Sequence, residues 1–287
     1  MTMNIQYLHE YIEAVMLAHE KKDGDEIFFY RGHSDVEYKL VPSVMRSEEQ
    51  QRREDFYFHQ IRVRCPEAFI NCNHIDQLVK MQHYDCPTRL LDVTSNPLVG
   101  MYFACKKYST ENKSHAGKVF MFSIKQEELL YYDSDKIRML SCLAELKYEE
   151  KEKICKACER KIADNADKAL FDASNNGREV EKLYHAIRSE VPAFDKKMRA
   201  IDLKSSYFVQ PLKDNPRILK QDGAFLMFGL NMKKEETEES ARSFIRHEFR
   251  IINQENILGE LDALGINEAS LFPEVDKVAG YLKSVQR

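Results

Sequence analysis

The spacing of hydrophobic and polar positions changes along this chain, and each change predicts an element boundary. Apolar residues three or four positions apart predict amphipathic helices over residues 5–22 and 75–84. The run "IFFY" at 27–30 and the run "KVFMFSI" at 118–124 carry apolar residues on both faces, as strands buried inside a sheet do. Strand patterns return after residue 204 as "SSYFVQPL", "AFLMFGL" and "SFIRHEFRII".

Between these strand patterns lies a long stretch rich in lysine and glutamate. Its helical spacing predicts a helical subdomain inserted at about 125–205. We interpret the charged runs at 145–161 and 233–240 as solvated surfaces or loops. The simplest architecture is one α+β domain over residues 1–287, with a single mixed sheet that the helical insertion interrupts.

Composition narrows the class of protein. The 287 residues are 43% hydrophobic, which is enough for a sizeable core, and the net charge of −4 gives no signal for nucleic-acid binding. No apolar run approaches the roughly 20 residues that span a bilayer, and the charged N-terminal segment does not resemble a secretory signal. Seven cysteines, an odd number, indicate reduced thiols, so we expect a cytoplasmic protein.

Two of these cysteines form a single CxxC pair. Cys155 and Cys158 supply only half of a tetrahedral zinc site, and no second pair has matching spacing. We interpret them as two small apolar positions of a helix and expect no metal there.

The segment "FFYRGHSD" raises a question of pairing. Arg31 follows three aromatic residues, and a guanidinium without a partner is costly to bury. A second polar cluster follows in "QHYDCPTRLLDVTSN", at the ends of apolar segments where strand ends gather. We therefore expect Arg31, His83, Arg89 and Asp92 to converge on one pocket. The structural alternatives are an ion pair of Arg89 with Asp92, an ion pair of Arg31 with Asp92, and a plain helix cap at 94–97.

Five segments together resemble the FRG domain, a bacterial and phage family named after its Phe/Tyr-Arg-Gly motif. They occur in the family's order and are "YRGHSD", "YKLVPSVMR", "QHYDCPTRLLDVTSNPLVGMYFA", "PRILKQDGAFLMFG" and "GINEASLFPEVDKVAGYL". Two positions depart from the family pattern. Asp85 stands where glycine is common, and Val93 stands where an aromatic residue is common.

A weaker resemblance is to ADP-ribosyltransferases, and it implies NAD as a substrate. In that fold an arginine or histidine on the first core strand holds NAD, a Ser/Thr-rich strand end follows, and a glutamate on a later strand orients the ribose. Here Gln221 stands where the glutamate is expected, and Glu248 is an alternative on another strand. The resemblance implies catalytic roles for Arg31, His83 and Gln221. It implies ligand-binding roles for Arg31, Gly32, Tyr84, Thr88, Arg89, Asp92, Thr94 and Ser95.

Three functions remain open at this point. The first is an NAD-consuming enzyme, ADP-ribosyltransferase-like or NAD glycohydrolase-like, acting as a toxin or antiviral defence effector. The second is a catalytically inactive module that binds or senses a nucleotide. The third is a protein-interaction domain that binds its partner through the helical insertion.

Overall fold

A mixed sheet of eight strands forms the centre of the computed structural model, which describes residues 2–106, 116–164, 178–195 and 198–284. The strand order is β1-β8-β4-β2-β3-β7-β6-β5. The outermost pairs, β1 with β8 and β5 with β6, are parallel, and the pairs between them are antiparallel. The strands are β1 (Thr2–Ile5), β2 (Glu26–His33), β3 (Leu90–Thr94), β4 (Gly117–Lys125), β5 (Leu130–Tyr131), β6 (Ser206–Gln210), β7 (Gly223–Phe228) and β8 (Ile245–Ile251).

The helices surround this sheet. They are α1 (Leu8–Glu20), α2 (Glu48–Arg52), α3 (Glu54–Arg64), α4 (His74–His83), α5 (Pro97–Cys105), α6 (Asp135–Ser141), α7 (Tyr148–Asp164), α8 (Arg178–Glu190), α9 (Ala200–Lys204), α10 (Pro216–Lys220), α11 (Lys234–Arg242), α12 (Gln254–Ala263), α13 (Glu268–Leu271) and α14 (Val275–Ser284). Short 3-10 turns lie at Ser43–Met45, Pro66–Phe69, Gln126–Glu128 and Cys142–Glu145. Within the described ranges, no helix has the length and apolar character needed to cross a membrane.

The two faces of the sheet are covered differently. On one face, the 3-10 turn Ser43–Met45 and α11 pack against inward residues of β2, β3, β4 and β7. On the other face, α1, α5 and α12 cover the half that contains β1, β8, β4 and β2. Helices α4, α6, α7, α8 and α9 cover the half that contains β3, β7 and β6. The junction between β2 and β3 is therefore also the junction between two clusters of packed helices.

The α+β class and the single mixed sheet are confirmed. One correction concerns residues 233–240, which we predicted to be a solvated loop and which form most of α11. Thr237 and Ala241 of this helix are buried against the sheet, so the charged residues around them occupy its outer face.

The region predicted as an insertion is helical where it is described. Helices α6, α7, α8 and α9 lie between β4 and β6, together with the two-residue strand β5; residues 165–177 and 196–197 lie outside the described part. The buried side chains of these helices share one cluster with Leu90, Val209 and Met227 of the sheet. Their packing therefore continues the core of the sheet. Whether they form a separable insertion stays a prediction.

Candidate functional site

Arg31 lies inside β2, and its guanidinium makes hydrogen bonds to His33 and to Asp92. Its Nε donates to His33 Nε2 at 3.0 Å, and its Nη1 donates to the backbone carbonyl of Asp92 at 2.5 Å. The same Nη1 lies 3.7 Å from the Asp92 carboxylate. The side chain is 15% exposed, so its charge is mostly removed from water and is held by these contacts.

The contact between Arg31 and Asp92 crosses the sheet. Arg31 is opposite Phe120 of β4, on the face covered by α11. Asp92 is opposite Phe225 of β7, on the other face. Residues directly opposite each other on paired strands point to the same face of a sheet. The side chains of Arg31 and Asp92 therefore leave the sheet on opposite faces. The guanidinium meets Asp92 at its main-chain carbonyl, on the edge of β3 that faces β2.

His33 positions Arg31. Its Nδ1 lies 3.2 Å from the Tyr38 carbonyl, which can only accept, so Nδ1 carries the proton and Nε2 is free to accept from Arg31. Burial, and then the Arg31 charge, lower the pKa of His33 well below its usual value. The ring is therefore neutral, as its role as an acceptor requires.

The Asp92 carboxylate belongs to a second group of hydrogen bonds. Gln82, in the last turn of α4, donates from Nε2 to Asp92 Oδ2 at 2.8 Å, and its Oε1 accepts from Thr88 Oγ1 at 2.6 Å. The Asp92 side chain is 58% exposed. A polar chain thus runs from buried His33 to a carboxylate at the surface. Gln82 belongs to the polar segment identified in the sequence. Its hydrogen bonds to Asp92 and Thr88 could not be predicted, because they depend on how α4 packs against β3.

Arg89 does not join this group either. The prediction of one pocket is therefore wrong: Arg31 and Asp92 leave opposite faces of the sheet, and Arg89 is buried elsewhere. Its side chain is 1% exposed and makes a two-pronged contact with Glu54, from Nε to Oε1 at 2.8 Å and from Nη2 to Oε2 at 2.7 Å. Its Nη1 also donates to the Phe228 carbonyl at 3.0 Å. Lys151 Nζ contacts the same Glu54 at 2.6 Å. Because Glu54 takes this position, the alternative pair of Arg89 with Asp92 is wrong as well.

Gly32 is explained by helix packing. A Cβ atom at this position would lie 2.1 Å from the carbonyl oxygen of Gly100 and 2.4 Å from the amide nitrogen of Ala104, both in α5. The glycine lets α5 approach β2 closely. This packing explains why a glycine stands here, and no bound ligand is needed for the explanation.

Thr94, Ser95 and Gln221 lie together at the end of β3. Thr94 Oγ1 donates to the Gln221 carbonyl at 2.6 Å, and the Ser95 amide donates to the Asp222 carbonyl at 3.1 Å. The Gln221 side chain donates to the Leu271 carbonyl at 3.1 Å. The predicted cap of α5 is confirmed, since Asn96 Oδ1 accepts from the Leu98 amide at 3.0 Å. Glu248 lies on β8 and pairs with Arg242 and Lys118.

His83 and Tyr84 lie in an open cleft of about 470 Å³. The two rings are in edge contact, with centroids 4.7 Å apart, and Tyr84 is 68% exposed. The cleft lies along α4, between this helix, the start of α10 and the segment before α14. Its lining includes Asp76, Lys80, Asp214, Arg217, Pro273 and Glu274.

Glu274 and Arg217 are cleft residues that the sequence did not single out for a role. Arg217 Nη1 donates to the His83 carbonyl at 3.3 Å, and its guanidinium lies 4.7 Å from the centre of the Phe272 ring. Glu274 Oε1 lies 3.7 Å from His83 Nε2. Its Oε2 is buried and has no hydrogen-bond partner among the described residues. Burial and the Arg217 charge lower the pKa of His83. Both residues lie in segments that resemble the FRG domain, and this position was the only sequence feature that pointed to them.

The comparisons agree with one of the two resemblances. The model of the FRG domain family matches residues 26–113, so this part of the chain is similar to the FRG domain, in agreement with the resemblance of the sequence motifs. The match contains β2, α4, β3 and α5, and therefore the contacts of Arg31 with Asp92 and of Gln82 with Thr88. No curated protein and no solved structure gives a significant match to the chain.

Proposed function

We propose that the chain binds a nucleotide-type small molecule in the cleft beside His83, with NAD as the first candidate. The observation that carries this proposal is the Glu274 carboxylate, whose Oε2 is buried and has no hydrogen-bond partner among the described residues. A buried carboxylate oxygen without a donor is unfavourable. A ribose hydroxyl of a ligand would supply that donor.

The other cleft residues suit the remaining parts of a nucleotide. The exposed ring of Tyr84 offers a face on which a base can stack, and Arg217 and Lys80 offer positive charge for phosphates. A volume of about 470 Å³ is within the range of small-molecule sites. Asp76 and Asp214 also line the cleft, so its charge is mixed and would favour a ligand that has hydroxyl groups as well as phosphates.

Binding without turnover is the function that this geometry supports best. Of the three residues assigned to catalysis, His83 lines the cleft, while the side chains of Arg31 and Gln221 hydrogen-bond to His33, Asp92 and Leu271. Arg31 and Gln221 are not among the residues that line the cleft. A nucleotide-binding or nucleotide-sensing module fits this arrangement.

NAD consumption is the second candidate, and Glu274 favours it too. A carboxylate beside the ribose stabilises the oxocarbenium-like transition state of N-glycosidic cleavage. In NAD hydrolysis the bond between ribose C1′ and the nicotinamide nitrogen breaks. Water then bonds to C1′ and loses a proton, and nicotinamide leaves as a neutral molecule. Such an activity would suit a toxin or a defence effector in conflicts between bacteria and phages.

Thermal shift and calorimetric titration with NAD, ADP-ribose and AMP test the proposal. We expect saturable binding of at least one of them, and a loss of affinity of at least about tenfold in Glu274→Gln. Glu239→Gln is the matched control, because Glu239 is an exposed glutamate of α11, outside the cleft. Failure of all three compounds to bind would leave the protein-interaction function as the remaining hypothesis.

Release of nicotinamide separates the two candidates. Under conditions where NAD binds, a binding module leaves NAD intact. An enzyme releases nicotinamide, and Glu274→Gln lowers the rate of release more than it lowers the affinity. Nicotinamide release that Glu274→Gln leaves unchanged would contradict a role for this cleft in the reaction.

A further inference from the structure

A second cluster of chemically active side chains lies at the amino end of α4, and its three residues are not among those that line the cleft. His74 is the first residue of α4, Cys142 follows α6, and Glu190 is the last residue of α8. His74 and Cys142 are buried, and Glu190 is largely buried. Donor atoms of all three lie within 4.8 Å of one another.

The imidazole of His74 is fixed in place. Its Nδ1 contacts Glu190 Oε1, and its Nε2 lies 2.9 Å from Glu145 Oε2. The ring stacks on Phe58, with centroids 5.1 Å apart and planes at 11°. The His74 amide also donates to Glu190 Oε1 at 2.6 Å. Both ring nitrogens and the ring plane are therefore held in one orientation.

Glu190 has unused capacity in this cluster. Its Oε1 accepts from the His74 amide and faces the ring, while Oε2 is buried and has no hydrogen-bond partner among the described residues. Such an oxygen is costly to bury. A ligand that bonds to it would remove that cost.

The composition of the cluster suits a divalent cation. His74, Cys142 and Glu190 offer an imidazole, a thiol and a carboxylate to one point. A second carboxylate, that of Glu145, contacts the other nitrogen of the His74 ring. The cluster therefore combines nitrogen, sulfur and oxygen donors with the negative charge that a cation would neutralise.

We propose that His74, Cys142 and Glu190 bind a zinc ion. A thiolate, an imidazole and a carboxylate are ordinary zinc ligands, and this mixture favours zinc over calcium or magnesium, which select oxygen ligands. Glu145 acts as a positioning residue. It holds Nε2–H of His74, so that Nδ1 faces the ion, in the carboxylate–histidine arrangement common around zinc.

The ion would join three segments that are distant in sequence. The amino end of α4, the turn after α6 and the carboxyl end of α8 would all be tied at one point. Such a site stabilises the folded state, because the unfolded chain does not present the ligands together.

Cobalt spectroscopy and zinc-dependent melting test the site in the full chain. The protein is treated with a chelator, and one equivalent of Co²⁺ is added at pH 7.5. We expect a thiolate-to-cobalt charge-transfer band in the near ultraviolet and tetrahedral d–d bands in the visible. Excess Zn²⁺ should remove these bands and raise the melting temperature by at least about 5 °C.

Two cysteine variants decide which thiol is involved. Cys142→Ser should lose the charge-transfer band. Cys155→Ser should keep it, because Cys155 is a buried thiol of α7 outside the cluster. If Cys142→Ser does not fold, Glu190→Gln with the same readout replaces it, and we expect at least a tenfold loss of cobalt affinity. The absence of a charge-transfer band in the wild-type protein would overturn the proposal, and so would a band that persists in Cys142→Ser.

Discussion

The guanidinium of Arg31 donates to the backbone carbonyl of Asp92 at 2.5 Å, although the two side chains start from opposite faces of the sheet. The strands β2 and β3 pair at Tyr30 and Thr94, and the Arg31 contact links them further along. Arg31 therefore joins the two halves of the sheet at the junction between its two helix clusters. The partners of Arg31 are thus a main-chain carbonyl and a neutral histidine, and these contacts give the residue a structural role.

Replacing Arg31 should lower stability. In Arg31→Ala, the Asp92 carbonyl and His33 Nε2 lose their donor, and we expect the free energy of unfolding to fall by about 1–3 kcal/mol. Arg31→Lys should recover less than half of this loss, because an ammonium group cannot reproduce two diverging guanidinium contacts. Urea denaturation of the three proteins measures the effect.

The same variants separate a structural from a ligand-binding Arg31. If Arg31 is structural, its replacement lowers the melting temperature of the protein without ligand. The affinity of the folded variant for NAD then stays nearly unchanged. Unchanged stability together with a large loss of NAD affinity would show that Arg31 contacts the ligand.

His33 should make the protein sensitive to mild acid. Its folded-state pKa lies well below its usual value of about 6.5, so below pH 6.5 the unfolded state binds more protons than the folded state. Stability is therefore unaffected by this group above pH 7 and falls as the pH drops. The loss reaches about 1.4 kcal/mol at pH 5.5 if the folded-state ring stays neutral.

The His33→Gln variant isolates this contribution. Glutamine keeps a side-chain acceptor for Arg31 and has no proton to gain. The difference in unfolding free energy between the two proteins should change by about 1.4 kcal/mol from pH 7.5 to pH 5.5. A constant difference over this interval would mean that the ring is protonated in the folded state.

Two glycines should respond to alanine in opposite directions. At Gly32, a Cβ would lie 2.1 Å from a main-chain oxygen of α5, so Gly32→Ala must displace the helix from the sheet and should cost several kcal/mol, at least about 3. At Gly259, within α12, nothing lies within 4 Å of the added carbon. Gly259→Ala should raise stability by about 0.5–1 kcal/mol. Melting temperatures of both variants test the pair, and equal effects would contradict the packing argument.

The inner strands could be predicted from the sequence because they are short and densely apolar, whereas the edge strands β1 and β5, which are short and mostly exposed, were not predicted. The strands "KVFMFSI" and "AFLMFGL" have few polar residues that could suggest another structure, and both are central in the sheet. One family departure also becomes clear. Asp85, where glycine is common, has φ = 56°, a left-handed conformation that favours glycine.

The site was predicted less well because pairing depends on distant segments. Glu54 lies 35 residues before Arg89, at the start of a helix whose sequence is strongly charged. Lys151 belongs to the run at 145–161, which we interpreted as a solvated surface, yet it is 2% exposed. Charge-rich spacing identifies a helix, but it does not show which charged residue is buried when the partner lies on another element.

Glu54 gives the strongest stability prediction in the molecule. Burial alone would raise its pKa, but the charges of Arg89 and Lys151 outweigh burial and hold the pKa below its usual value. Glu54→Gln would leave two cations buried without their shared carboxylate, and we expect a loss of about 3–5 kcal/mol. Lys151→Met in the same protein removes one of these cations and should restore part of the loss. Glu248→Gln, which affects a partly exposed glutamate paired with Arg242 and Lys118, is the control and should cost no more than about 1 kcal/mol.

The lowered pKa of Glu54 also makes this stabilisation depend on pH. The ion group stabilises the fold above the unfolded-state pKa of glutamate, and the stabilisation is lost as the pH falls through the folded-state value. Urea denaturation at pH 7 and at successively lower pH measures both effects. If Glu54→Gln costs no more than the control, the triad of Arg89, Glu54 and Lys151 does not hold α3 and α7 against β3.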